Sequence, residues 1–110
     1  LQEKGAVQIQ INTDRNINPD EQLTNGIQEA VHGTLGRFGE RVTRVEVHLQ
    51  DLNGEKGGRD DVRCLMEARL AGLNPVAVEH HGATPHSAAQ GAARKLERAL
   101  DTRLGRLGRG

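Results

Sequence analysis

Apolar and polar residues alternate over residues 6–13, with Val7, Ile9 and Ile11 on one side and Gln8, Gln10 and Asn12 on the other. Period two predicts a strand with one buried face. From Leu23 onward the period lengthens: Leu23, Ile27, Val31, Leu35 and Phe38 recur three or four apart, which predicts a helix with a single apolar stripe. The preceding Asn18-Pro19-Asp20-Glu21 reads as an N-cap, a proline at the first helical position and a capping-box acid. Gly39 supplies a stop. Gly26, Gly33 and Gly36 each weaken the helix by up to about 1 kcal/mol relative to alanine, so tertiary packing has to hold it. Glycines on a helix also admit a close neighbour.

Residues 42–49 return to period two, with Thr43, Val45, Val47 and Leu49 on one face and Arg44, Glu46 and His48 on the other. Residues 50–61 carry Asn53-Gly54 and Gly57-Gly58 and no large apolar side chain after Leu52, which predicts a polar, mobile hairpin tip. A third strand spans residues 62–71, with Cys64, Met66, Ala68 and Leu70 inward. A short turn over residues 72–75 leads to a fourth strand over 75–81, with Val76, Val78 and His80 inward and Ala77, Glu79 and His81 outward. Thr84-Pro85 opens a second helix that runs to about Gly105, its stripe formed by Ala89, Ala93, Leu96, Leu100 and Leu104.

The order β-α-β-β-β-α predicts an α+β domain, a four-stranded mixed sheet with two helices packed on one face, because each helix has one apolar stripe and no second sheet exists. A helix between the first two strands makes them parallel neighbours, and the short turns make the remaining pairs antiparallel. The 110 residues suit one domain spanning 1–110, with residues 105–110 as a frayed basic tail. The uncovered sheet face should be polar, carrying Gln8, Gln10, Asn12, Arg44, Glu46, His48, Arg63, Glu67, Arg69, Glu79 and His81, whose opposite charges can pair across strands.

Composition narrows the chemistry. Phe38 is the only aromatic residue, which excludes a platform of several rings for stacking bases. The single cysteine, Cys64, excludes an internal disulfide and a four-thiolate metal site. The possible metal ligands are Cys64, His32, His48, His80, His81 and His86. His80 and His81 point to opposite faces of one strand, and Cys64 with His80 falls short of the usual three or four ligands. A buried thiol beside a hydrogen-bonded histidine is the expectation there, not a nucleophile. Residues 54–58 lack the ending of a phosphate loop, and Asp60-Asp61 reads as an acidic turn. No enzyme, cofactor or small-molecule substrate is expected. No secretory or membrane-length apolar run occurs, so the expected location is cytoplasmic.

Fifteen basic and fifteen acidic residues cancel, but residues 94–110 hold six cations against two carboxylates, leaving a compensating net −4 on the first 93 residues. Arg94 and Arg98 share one helix face, Lys95 borders it, and Arg103 and Arg106 continue it. Arg37, Arg41 and Arg44 form a second group near Phe38. Arginine forks at these positions suit the phosphates of folded RNA, whereas a helix end enriched in arginine for its dipole is the plainer account.

The ordered set of segments Ile9-Gln10-Ile11-Asn12, Gly36-Arg37-Phe38-Gly39-Glu40-Arg41-Val42-Thr43-Arg44-Val45-Glu46-Val47, Ala68-Arg69-Leu70 and Gly91-Ala92-Ala93-Arg94-Lys95-Leu96-Glu97-Arg98-Ala99-Leu100 resembles the ribosome hibernation promoting factors and ribosome-associated inhibitors, the sigma-54 modulation protein family, in its short form. The resemblance covers nearly the whole chain. It implies a fold like a double-stranded-RNA-binding domain with an extra leading strand. It also implies a translation regulator, monomeric off the ribosome, that binds the small ribosomal subunit and its rRNA near the mRNA and tRNA sites and silences ribosomes under stress or in stationary phase. Carried over position by position, the basic residues of that family fall on Arg37, Arg41, Arg44, Arg94, Lys95 and Arg98, with Arg103 and Arg106 continuing them. This chain departs from the pattern in having no lysine in its first helix, a longer and more acidic 50–61 loop, and balanced charge. A second reading is a protein-interaction or regulatory domain that uses the mixed-charge sheet face and does not bind ribosomes. Continuous positive charge over the helices favours RNA; interspersed signs everywhere favour protein.

Overall fold

The computed structural model describes residues 7–52 and 61–108, with side chains described as far as Gly105. Most of the predicted hairpin tip (residues 53–60, including Asp60), the end of the tail and the Arg106 side chain lie outside the described residues. The elements are β1 (Gln8–Thr13), α1 (Glu21–Leu35), a 3₁₀ segment (Gly36–Arg41), β2 (Val42–Asp51), β3 (Val62–Leu70), β4 (Leu73–Gly82) and α2 (Pro85–Gly108). One sheet has the order β1-β2-β3-β4. Its first pair is parallel and the other two are antiparallel. Both helices cover one face, as the single apolar stripe on each requires. Ile27, Val31 and Leu35 of α1 join Leu96, Leu100 and Leu104 of α2 and the inward residues Val45, Val47, Cys64, Met66 and Ala68 in one core.

Local differences from the sequence pattern have physical causes. The N-cap of α1 is Asp20, not Asn18: its Oδ1 accepts from the Leu23 N–H at 2.9 Å, and Pro19 lies outside the helix. Ile17, buried in the β1–α1 connection, draws that segment into the core and delays the helix start. The α-helix ends at Leu35, and Phe38 reaches the core from the 3₁₀ segment, where the sequence places it on the helix stripe. Gly39 is where the chain turns, at φ 58°, ψ −132°, a conformation that side chains with a Cβ rarely adopt. A register irregularity between Val42 and Arg44 turns Thr43 outward, against expectation, so that Val42 fills the core instead. The Thr43 hydroxyl donates to the Arg69 carbonyl at 3.1 Å. Strand β4 begins two residues earlier than the pattern predicts, because Ala71-Gly72 suffices as the turn: Gly72 has φ 75°, and Leu70 pairs with Leu73.

The start of α2 follows the sequence. Thr84 Oγ1 accepts from the Ser87 N–H at 3.0 Å, while the Thr84 N–H donates to Ser87 Oγ at 3.1 Å, a reciprocal box with serine in the usual place of glutamate. The helix continues three residues beyond the predicted stop at Gly105. The two helices run side by side in the same direction. Near their starts, Gly26 of α1 faces the ring of His86, where any Cβ would stand 2.8 Å from the imidazole. Beyond the end of α1, Arg37 reaches Glu97 and Asp101 of α2. Gly26 is thus a seat for a neighbour, while Gly33 faces open space.

Candidate nucleic-acid interface

Helix α2 buries Ala89, Ala92, Ala93, Leu96 and Leu100, so a period of 3.6 sends Arg94 and Arg98 to the opposite side. Both are exposed, and among the described residues neither meets an acidic partner. The helix-end account does not reach them, since Arg98 lies ten residues before the last residue of α2 and the dipole acts within the final turn.

Arg37 is differently placed. Its Nε donates to Glu97 Oε2 at 3.2 Å and its guanidinium lies 3.4 Å from Asp101 Oδ1. The hydrogen bond to Glu97, then the one to Asp101 and the charges of both acids, push this guanidinium above its already high ordinary value. It also stacks over Phe38, 4.4 Å from the ring centre. Arg41 is exposed at the end of the 3₁₀ segment, without an acidic partner among the described residues, while its carbonyl accepts from Ala71 N–H at 3.0 Å. Lys95 turns to the sheet edge, its Nζ donating to the Glu79 carbonyl of β4 at 2.8 Å. Arg103 is half-buried. Arg44 stands on the far side of the sheet, bound to Gln10 and 3.2 Å from Glu46. The fold therefore places Arg94, Arg98 and Arg37 on the helix layer, leaves Arg41 at the junction of the 3₁₀ segment with β2, and sends Lys95 to an edge and Arg44 to the other face. Near the starts of the two helices, Asp20, Glu29, Gln22 and Asn25 with His86 line a concavity of about 540 Å³.

The open sheet face neutralises itself. The register sets Glu46 opposite Glu67 and Arg44 opposite Arg69, like facing like. Neighbours relieve it: Glu46 lies 3.2 Å from Arg44 and 3.6 Å from Arg69, and Arg69 lies 3.7 Å from Glu67. On the next pair Arg63 Nε donates to Glu79 Oε2 at 2.7 Å, and His81 lies 3.1 Å from the same oxygen. Hydrogen bonds from Arg63 and then His81 hold the Glu79 carboxyl at about 2, well below the usual carboxylate range.

On the inner face, Cys64 pairs directly with His80. The sequence leads one to expect a hydrogen-bonded histidine. The His80 ring instead packs against Gly91 of α2, which leaves no room for a Cβ, and makes no hydrogen bond among the described residues. Burial alone pushes the Cys64 thiol up to about 12, which removes the thiolate a nucleophile needs. Below about pH 9 both native and unfolded thiols are protonated; above it only the unfolded one ionises, so native stability is lost as pH rises toward 12. Urea unfolding of wild type and Cys64→Ala at about pH 8 and about pH 10.5 should show wild type losing up to about 1.4 kcal/mol more per pH unit. A constant difference would contradict it. Among the described residues no three His, Cys, Asp or Glu side chains are grouped to hold a metal ion, and no helix is long and apolar enough to cross a membrane.

The parallel helix pair and the four-stranded sheet have counterparts in known proteins. The chain belongs to the family described as Sigma 54 modulation protein / S30EA ribosomal protein, which it matches over residues 9–107. That family comprises ribosome-associated regulators without catalytic activity. Two solved structures share the fold. One is the N-terminal domain of Protein Y from Thermus thermophilus, 19% identical, covering 87% of this chain and 98% of that one at a TM-score of 0.71. The other is a ribosomal subunit interface protein from Coxiella burnetii, 11% identical, covering 90% and 99% at a TM-score of 0.73. No curated protein gives a significant match.

Proposed function

We propose that this member of the family regulates translation by binding rRNA of the small ribosomal subunit through the outer face of α2, occupying the path of mRNA and tRNA and holding the ribosome inactive in the cytoplasm. One observation carries the assignment of the surface: Arg94 and Arg98 stand four residues apart, exposed, and without a carboxylate partner among the described residues. Among the other exposed arginines, Arg37, Arg44 and Arg69 are each tied to an acid. Two guanidinium forks on one helix face grip phosphates in a fixed geometry without reading bases. That suits folded RNA, and a chain with one aromatic residue has little else to offer a nucleic acid. Inhibition by occupancy needs no covalent step.

The family membership supports the ribosome as the target. The paired charges of the sheet face make cross-strand contacts the sufficient account of that surface.

Titration of purified small subunits tests the reading. Association should be saturable and should weaken steeply between about 0.05 and about 0.2 M salt, since counterions are released with each phosphate engaged. Absence of association at low micromolar protein overturns it.

A further inference from the structure

The helix α2 places Glu97 three residues after Arg94, and Asp101 three residues after Arg98. Residues three apart on a helix are surface neighbours, and opposite charges at that spacing attract. Left to itself, α2 would close both of its outward arginines into local ion pairs. It closes neither. Both carboxylates turn instead to Arg37, at 3.2 and 3.4 Å. Arg37 comes from the 3₁₀ segment, held over the ring of Phe38, which is itself 8% exposed and anchored in the core. Its guanidinium also separates two acids that stand four apart and repel each other.

We propose that Arg37 is a positioning residue: it occupies Glu97 and Asp101 so that Arg94 and Arg98 stay free to bind polyanion. The inference rests on the reading of α2 as the phosphate-binding face and adds a role for a residue that the sequence places among the direct contacts. A planar fork suits this task, because it spans two carboxylates at once. A side chain so engaged has fewer donors left for a phosphate than Arg94 or Arg98.

The test is a mutant cycle with Arg37→Ala, the double change Glu97→Gln with Asp101→Asn, and all three together. Binding is read twice, on small subunits and on heparin as a generic polyanion, with melting curves to establish that each variant is folded. Removing Arg37 from wild type should weaken binding roughly five- to tenfold at low salt, as the freed acids close onto Arg94 and Arg98. In the background lacking both acids the same removal should cost no more than about twofold. Arg37→Lys keeps the charge but reaches only one acid, and should fall between the two. Equal losses in both backgrounds make Arg37 a contact in its own right and overturn the proposal; so does an unchanged affinity of Arg37→Ala. If wild type ignores small subunits, the ribosomal reading fails while the heparin series still decides the role of Arg37.

Discussion

Replacing Arg94 and Arg98 together by glutamate is expected to weaken small-subunit association by at least about a hundredfold at moderate salt, because two phosphate contacts become two repulsions. The fold should survive. Both side chains are exposed and without an acidic partner among the described residues, so their loss removes no ion pair there; the new like-charge neighbours at Glu97 and Asp101 cost about 0.2–0.5 kcal/mol per pair. The melting temperature should therefore move little while binding collapses. A control separates local from overall charge. Arg15→Glu changes the net charge by the same amount as Arg94→Glu, at an exposed position on the β1–α1 connection. Equal losses from these two single changes would assign binding to net charge alone and remove α2 from the interface. The salt dependence gives a second check, since losing two contacts should lower the slope of log affinity against log salt by about two.

Leu96→Ala is expected to destabilise the protein by about 3–5 kcal/mol, near the top of the range for a buried leucine. Leu96 is fully buried, and the inner-face residues that precede it on α2 are the alanines Ala89, Ala92 and Ala93. Alanine has no rotamer with which to refill a hole, so the cavity stays open. With a total stability of about 5–15 kcal/mol for a domain of this kind, the urea midpoint should fall by more than about 1 M. Leu73→Ala, at a leucine 38% exposed on the β3–β4 turn, should stay within about 0.5 kcal/mol of wild type. A loss below about 1.5 kcal/mol at Leu96 would mean that the core repacks around the deletion.

The elements were legible because each has one strong period. Alternation at Val45 and Val47, or at Cys64 and Met66, leaves one way to bury a strand. The three- and four-residue spacing of Ile27, Val31 and Leu35 leaves one face for a helix. Element edges were less so, because the edge is decided by distant contacts: buried Ile17 moves the start of α1 to Asp20, and Gly72 lets β4 begin at Leu73. For the site, the sequence groups the arginines only by nearness in the chain. That works on a single helix, where Arg94 and Arg98 share a face. It fails for Arg37, Arg41 and Arg44, because the sheet separates the last from the others.

Periodicity alone thus determined the α+β topology, the core stripes and the outward direction of Arg94 and Arg98, since burial of apolar surface acts through spacing along the chain. Only the tertiary structure decided which charges remain unspent. A salt bridge depends on distance in space, and the parallel packing of α1 and α2 brings Arg37 to acids sixty or more residues away in the chain, leaving their helical neighbours Arg94 and Arg98 without an acidic partner among the described residues.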